Sequence, residues 1–429
     1  MTDINKLILY KDFENGEILY NLCFIYDNIN SENIDKEELV TLLYDSINAL
    51  LDLSYNHGLK GNLWHSYLAY LLANNENAYS CSCEIVGNIE GSINDIVAND
   101  YKIFLGLYKL DWHKVEKILG TNCISLCLNY ISEDRGTKVY NKLVRDNICR
   151  LGIELGQAGD VNVFKDIITE FYKDFGVGRF GLHKAFRIEH SEDGGIIVPI
   201  NNTAQVNLDD LVGYEIQKKK LIDNTESFVR GKKANNCLLF GDAGTGKSTS
   251  IKAILNKYYS QGLRVIEVYK HQLQDLASVI AQIKNRNYKF IIFMDDLSFE
   301  EFEIEYKYLK AIIEGGLEKK PDNVLIYATS NRRHLVRERS SDKFENEDDL
   351  HKSDTVQEKL SLVARFGVTI YFASPDKKEF QQIVKSLAEK NNICMPEDEL
   401  LLEANKWELS HGGLSGRTAQ QFIDYLDSI

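Results

Sequence analysis

The chain has 429 residues, 44% of them hydrophobic and 27% charged, with a net charge of −14. That composition suits two or three packed domains and excludes collagen-like, mucin-like and wholly disordered chains. No apolar run approaches the roughly 18 residues of a membrane span, and MTDINKLILYKDFENGE lacks the uncharged core of a signal peptide, so the expectation is a cytoplasmic protein with no membrane partner.

The charge is uneven. Residues 1–200 carry 18 Lys and Arg against 29 Asp and Glu, and the remainder carries 32 against 35. An acidic half repels a phosphate backbone, so nucleic acid is not its expected partner. Eight cysteines are scattered without a CxxC pair. Cys123 and Cys127 stand one helical turn apart but lack a second pair to complete four ligands, and packing as reduced thiols is the simpler expectation.

Residues 1–175 carry apolar residues at three- and four-residue steps, as in Ile18, Leu19, Leu22, Cys23 and Tyr26, which predicts a mainly α-helical N-terminal domain. Further helical stretches are expected at about 36–53, 62–73, 101–118 and 138–150. The stripe Tyr55, Trp64, Tyr67 and Tyr70 is assigned to the core. Residues 176–204 turn glycine-rich and contain two short apolar runs, FRIEH and IIVPI, around Ser191–Gly195. That pattern predicts a hairpin serving as a linker.

From 205 the period changes. NCLLF (236–240), RVIEVY (264–269), FIIFMD (290–295), VLIYATS (324–330) and VTIYF (368–372) are continuous apolar runs separated by helical segments. This predicts an α/β domain over 205–373, a parallel five-stranded sheet with helices on both faces. Residues 374–429 offer three helical stretches near 376–390, 397–408 and 415–427. The polar, acidic segment 338–358 is expected to be a surface insertion.

The chemistry lies in this second half. GDAGTGKS (241–248) matches G-x-x-x-x-G-K-S between a strand and a helix. Gly241, Gly244 and Gly246 allow the backbone to curl until successive N–H groups face one phosphate. Asp242, Ala243, Thr245 and Thr249 complete the loop, and the starting helix adds its positive dipole end. Lys247 is expected on the β- and γ-phosphates and Ser248 on Mg²⁺. In KFIIFMDDLSF a buried strand ends in two carboxylates, which need a cation or a water to account for them. Asp295 is assigned to Mg²⁺ and Asp296 to polarising the attacking water, although its side chain is shorter than the more usual Glu. In YATSNRR, Asn331 is chosen to orient that water; Thr329 or Ser330 could serve instead. Arg365, before the fifth strand, and Arg417, opening the last helix, complete the set as phosphate-seeking cations.

This ordered set resembles the AAA+ ATPases over roughly 205–429: Walker A at 241–248, Walker B at 290–296, sensor 1 near Asn331, an arginine finger at Arg365 and sensor 2 at Arg417. NTESFVRGKKANNCLLFGDAGTGKS, DDLSFE, EGGLEKKPDNVLIYATSNRRHL and EKLSLVARFG are similar to a bacterial family of ATP-binding proteins catalogued as a domain of unknown function. The AAA+ resemblance implies a sheet order 5-1-4-3-2, a helical lid over 374–429, and adenine contacts from Leu211, Val212, Gly213 and Tyr214. It also implies a homo-oligomer with Arg365 acting on a neighbour's nucleotide.

The expected function is ATP hydrolysis with Mg²⁺, coupled to conformational change on a protein partner recruited by the helical domain. One alternative is an ATP-dependent binding switch with little turnover. Another is a nucleic-acid loader or remodeller, supported by the cluster Arg332, Arg333, His334, Arg337 and Arg339 and opposed by the acidic N-terminal half.

Overall fold

The computed structural model describes residues 1–131, 142–191, 194–299, 303, 305–314, 321–331, 335 and 362–428. The chain divides into two compact units, Met1–His183 with Pro199–Thr203, and Lys184–Val198 with Ala204–Ile429.

The first unit is helical throughout its named elements. Helix Leu63–Asn74 buries all but His65 and Asn74, so it is apolar on every side and runs through the middle of a core. Asn62 caps it by accepting from the His65 N–H at 3.1 Å. Helix Lys36–His57 starts at an Asp35 cap and stops at Gly58, whose φ of 68° suits a residue without Cβ. The stretch 101–118 divides into Ile93–Tyr108 and Trp112–Leu119, because Asp111 caps a new helix after Lys109 leaves the first. Trp64, Tyr67 and Tyr70 are buried, whereas Tyr55 is 68% exposed and belongs to the surface. Cys123 and Cys127 are buried in the helix Cys123–Leu128, and burial pushes the Cys127 thiol up to about 11.

The second unit is built on β1 (Ala185–Ser191), β2 (Gly194–Pro199), β3 (Cys237–Gly241), β4 (Leu263–Glu267), β5 (Lys289–Met294), β6 (Val324–Ser330) and β7 (Val368–Phe372). They form one sheet in the order β2-β1-β4-β5-β6-β3-β7. The five expected strands are present in the expected order, and every pair among them is parallel. The sheet has seven strands rather than five, because the hairpin pattern of 185–199 pairs with it: β1 runs parallel to β4 with Ala185 opposite Val265. An exposed edge of unpaired N–H and C=O groups on β4 is satisfied in this way.

β6 is buried at every position and β5 at all but its first, which is why both read as continuous apolar runs. Each fully buried Ile or Phe contributes about 1.5–3 kcal/mol relative to exposure. Three helices follow the sheet, Lys377–Lys390, Glu397–Ser410 and Gly416–Asp427. They share a small core of Phe380, Val384, Leu400, Ala404, Phe422 and Ile423, with Val212 packed against it. Among the described residues, no helix is long and apolar enough to cross a membrane.

Candidate functional site

Parallel strands put all their carboxyl ends on one edge of the sheet, and a crevice outside those ends is where open α/β sheets bind ligands. Here β3 lies between β6 and β7, so the loop after it meets the ends of both.

The loop 241–246 leads from β3 into helix Lys247–Tyr258. A Cβ on Gly241 would stand 2.0 Å from the Phe372 carbonyl oxygen, and one on Gly246 would stand 2.6 Å from Leu211 Cδ2. Both residues have positive φ, 135° and 88°, so glycine is needed for space as well as for conformation. The Lys247 ammonium is buried and donates to the carbonyls of Gly241 at 3.0 Å and Asp242 at 2.6 Å, and to Asn331 Oδ1 at 3.0 Å. Burial lowers its pKa, and the carboxylates of Asp242, Asp296 and Asp295 oppose that shift.

Ser248 Oγ donates to Asp295 Oδ1 at 2.5 Å. Thr329 Oγ1 donates to the same oxygen at 2.5 Å and accepts from the Asp296 N–H at 2.9 Å. Asp296 holds a left-handed φ of 48°, and its carboxylate accepts from Asn331 Nδ2 at 2.8 Å. Lysine only donates and a carboxylate only accepts, so these two partners settle which end of the Asn331 amide is which. Residues far apart in sequence thus form one continuous chain: Lys247, Asn331, Asp296, Thr329, Asp295, Ser248.

The lid reaches the same loop. The Arg417 N–H donates to the Gly244 carbonyl at 3.2 Å, and Ser415, the cap of that last helix, lies against Gly244. Tyr214 packs on Phe372 at 5.2 Å between ring centroids and donates its hydroxyl to the Ala373 carbonyl at 2.8 Å. Burial, helped by Glu379 and Asp242, pushes its phenol up to about 12. Val212 packs on the lid core, Leu211 lies beside Gly246, and Gly213 turns between them and Tyr214 with φ 79°.

Of the expected site residues, the loop, Asp295, Asp296, Asn331 and Arg417 come together. Arg365 does not. It precedes β7, whose residues 368–372 pair with 237–241, so a strand's length of about 13 Å separates its end of the sheet from the loop 241–246. The cluster Arg332, Arg333, His334, Arg337 and Arg339 and the acidic segment 338–358 lie outside the described residues.

Two features had no sequence signal. The Asp242 carboxylate accepts from the Ser374 N–H at 2.8 Å, tying the loop to the start of the lid, yet it occupies a variable position of the motif. Thr329, weighed as a water-orienting group, instead bonds both members of the acidic pair.

The donor set fits the ligands that the sequence implies. Ser248 and Asp295 present hard oxygens at hydrogen-bond distance, the chemistry Mg²⁺ prefers. The glycine loop forms a cradle that a Cβ would obstruct, at a helix N-terminus suited to phosphate.

A family described as "Protein of unknown function (DUF815)" matches residues 181–428. No curated protein matches the chain. Among solved structures, a point mutant of Thermotoga maritima RuvB aligns at 19% identity over 51% of this chain and 64% of that chain, with a TM-score of 0.36. This chain therefore spans less than two thirds of that relative. A second T. maritima RuvB point mutant aligns at 15% identity, over 51% and 71%, with a TM-score of 0.33. The FIGL-1 AAA domain in complex with ADP aligns at 17% identity, over 53% and 74%, with a TM-score of 0.37. Scores at this level leave the fold to be read from the strand order itself.

Proposed function

The chain belongs to the DUF815 family, whose description assigns no activity, and from the site itself we propose that the protein binds Mg·ATP at 241–249 and hydrolyses it. The observation that carries the reading is the hydrogen-bonded chain from Lys247 through Asn331 to Asp296. It joins the Lys247 ammonium, the Asn331 amide and the Asp296 carboxylate, three groups of the kinds that phosphate binding, water orientation and proton acceptance need.

The backbone N–H groups of the loop and Lys247 hold the phosphates. Binding draws the Lys247 ammonium away from the carbonyls of Gly241 and Asp242 to the incoming oxygens. Ser248 and Asp295 would hold Mg²⁺, which neutralises charge on the phosphates. Asn331 orients a water for in-line attack, and Asp296 accepts its proton as the new O–P bond forms and ADP leaves. Arg417 closes from the lid of the same subunit. Val212, Gly213 and Tyr214 border the adenine side.

Arg365, at the far end of β7, serves the site of a neighbouring copy in a homo-oligomer. The acidic helical half recruits a protein partner rather than nucleic acid. A second reading, an ATP-dependent switch with little turnover, is favoured by the short Asp296 side chain, already bonded to Asn331.

The test is calorimetry of Mg·ATP on the full chain and on Lys247→Ala, followed by phosphate release. Losing several charge-assisted bonds of about 1.5–3 kcal/mol each should weaken binding at least about 100-fold, with far-UV circular dichroism unchanged. Equal affinity for wild type and Lys247→Ala would sink the assignment. Binding without phosphate release, with or without a partner, selects the switch.

A further inference from the structure

We propose that Thr329 is a positioning residue that gives the two adjacent carboxylates their separate tasks, holding Asp295 for the cation and fixing the turn that aims Asp296 at Asn331. The inference rests on the ATPase reading and deepens it.

Thr329 is 1% exposed and stands next to the end of β6. A hydroxyl has one proton and two lone pairs. An N–H can only donate, so Thr329 Oγ1 accepts from Asp296 and its own proton goes to Asp295 Oδ1. With that proton committed, Thr329 does not also donate to a catalytic water. Its main-chain carbonyl accepts from the Leu297 N–H at 2.7 Å, so one residue of β6 bonds three consecutive residues after β5.

The consequence differs at each carboxylate. Asp295 Oδ1 receives two hydroxyls, from Ser248 and from Thr329, and among the described residues no hydrogen bond reaches its Oδ2. One oxygen is pinned and the other is left for a cation. Asp296 holds φ 48°, a left-handed conformation that Asp adopts more readily than most residues, and its N–H in that turn is held by the Thr329 oxygen. Were Asp296 to relax to extended backbone, its side chain would swing to the other face, away from Asn331. Groups that orient metal ligands from behind govern metal affinity and rate even though they touch neither metal nor substrate.

The test uses the full chain, with Mg²⁺ titrated against a fixed concentration of fluorescent adenine nucleotide, alongside phosphate release. Thr329→Val keeps shape and removes the hydroxyl. It should raise the half-saturating Mg²⁺ and lower kcat about 10–100-fold each, with Mg²⁺-free nucleotide affinity unchanged. Thr329→Ser should restore both. A Thr329→Val protein with wild-type Mg²⁺ requirement and kcat overturns the inference, as does a Thr329→Ser protein as impaired as Thr329→Val. If Thr329→Val does not fold, the Thr329→Ala and Thr329→Ser pair decides: a difference in Mg²⁺ requirement supports the role and equality overturns it. Wild-type protein that takes up no nucleotide overturns the ATPase reading itself, and this inference with it.

Discussion

Lys247 and Asn331 are 84 residues apart in the chain and meet at 3.0 Å, the lysine ammonium donating to the asparagine oxygen. The other end of the same amide donates to Asp296. On the proposed reading, a nucleotide phosphate that drew Lys247 forward would be felt at the carboxylate through one side chain.

Breaking that link should slow turnover more than it weakens binding. Asn331→Ala removes a preorganised donor, a loss of about 10²–10³ in kcat where such groups have been removed. Asp296→Asn should likewise lower kcat with KM little changed. Asp295→Asn should raise the Mg²⁺ requirement and KM as well. Steady-state kinetics at several Mg²⁺ concentrations separate the three; an Asp296→Asn enzyme with wild-type kcat would remove its assigned role as base.

Arg365 and Arg417 should behave oppositely when variants are mixed. Arg365→Ala and Lys247→Ala are each expected to be inactive alone and to regain partial activity together, since some interfaces then pair an intact loop with an intact arginine. An arginine supplied in trans can contribute about 10³–10⁵ in rate. Arg417→Ala mixed with Lys247→Ala should show no recovery, because both residues serve the same subunit's site. Absence of recovery with Arg365→Ala in particles shown to co-assemble would leave it a structural residue before β7.

Gly241→Ala should destabilise the second unit. Its Cβ would meet the Phe372 carbonyl oxygen at 2.0 Å, with φ 135°, and strain plus overpacking is expected to cost at least about 3 kcal/mol. Gly262→Ala is the control, with φ 89° and nothing within 4 Å of the new Cβ, for a cost of about 1–2 kcal/mol. Equal urea midpoints for the two variants would contradict the packing at Phe372.

The helical unit should weaken in alkali. Burial holds the Cys127 thiol up at about 11 and the Cys23 thiol at about 12, against about 8.5 in an unfolded chain. Between those values the unfolded state has released protons that the native state retains, so stability falls as pH rises through this window. The loss should be on the order of 2 kcal/mol per thiol by pH 10.5. Urea unfolding of reduced protein at pH 8 and pH 10.5 checks it, an unchanged midpoint being the contrary result. Cys394 is exposed and should be the first thiol alkylated in the native protein.

The glycine loop 241–248, the five core strands and the three lid helices were readable from the sequence because each rests on local chemistry; the order of those strands in the sheet came only with the AAA+ resemblance. A glycine pattern, an apolar run or a three-to-four-residue period is written within a few neighbouring residues. The acidic pair was visible for the same reason, as two carboxylates closing the apolar strand 289–294.

Partner choice was not readable, because hydrogen bonds between distant segments leave no mark on spacing. FRIEH and IIVPI showed a hairpin, but only tertiary pairing of Ala185 with Val265 adds it to the sheet. Thr329 and Asn331 are both polar residues at a strand end, and nothing in YATSN says which meets Asp295 and which the lysine. The left-handed turn at Asp296, together with β6 running parallel beside β5, decides that Thr329 takes Asp295 and Asn331 takes Lys247.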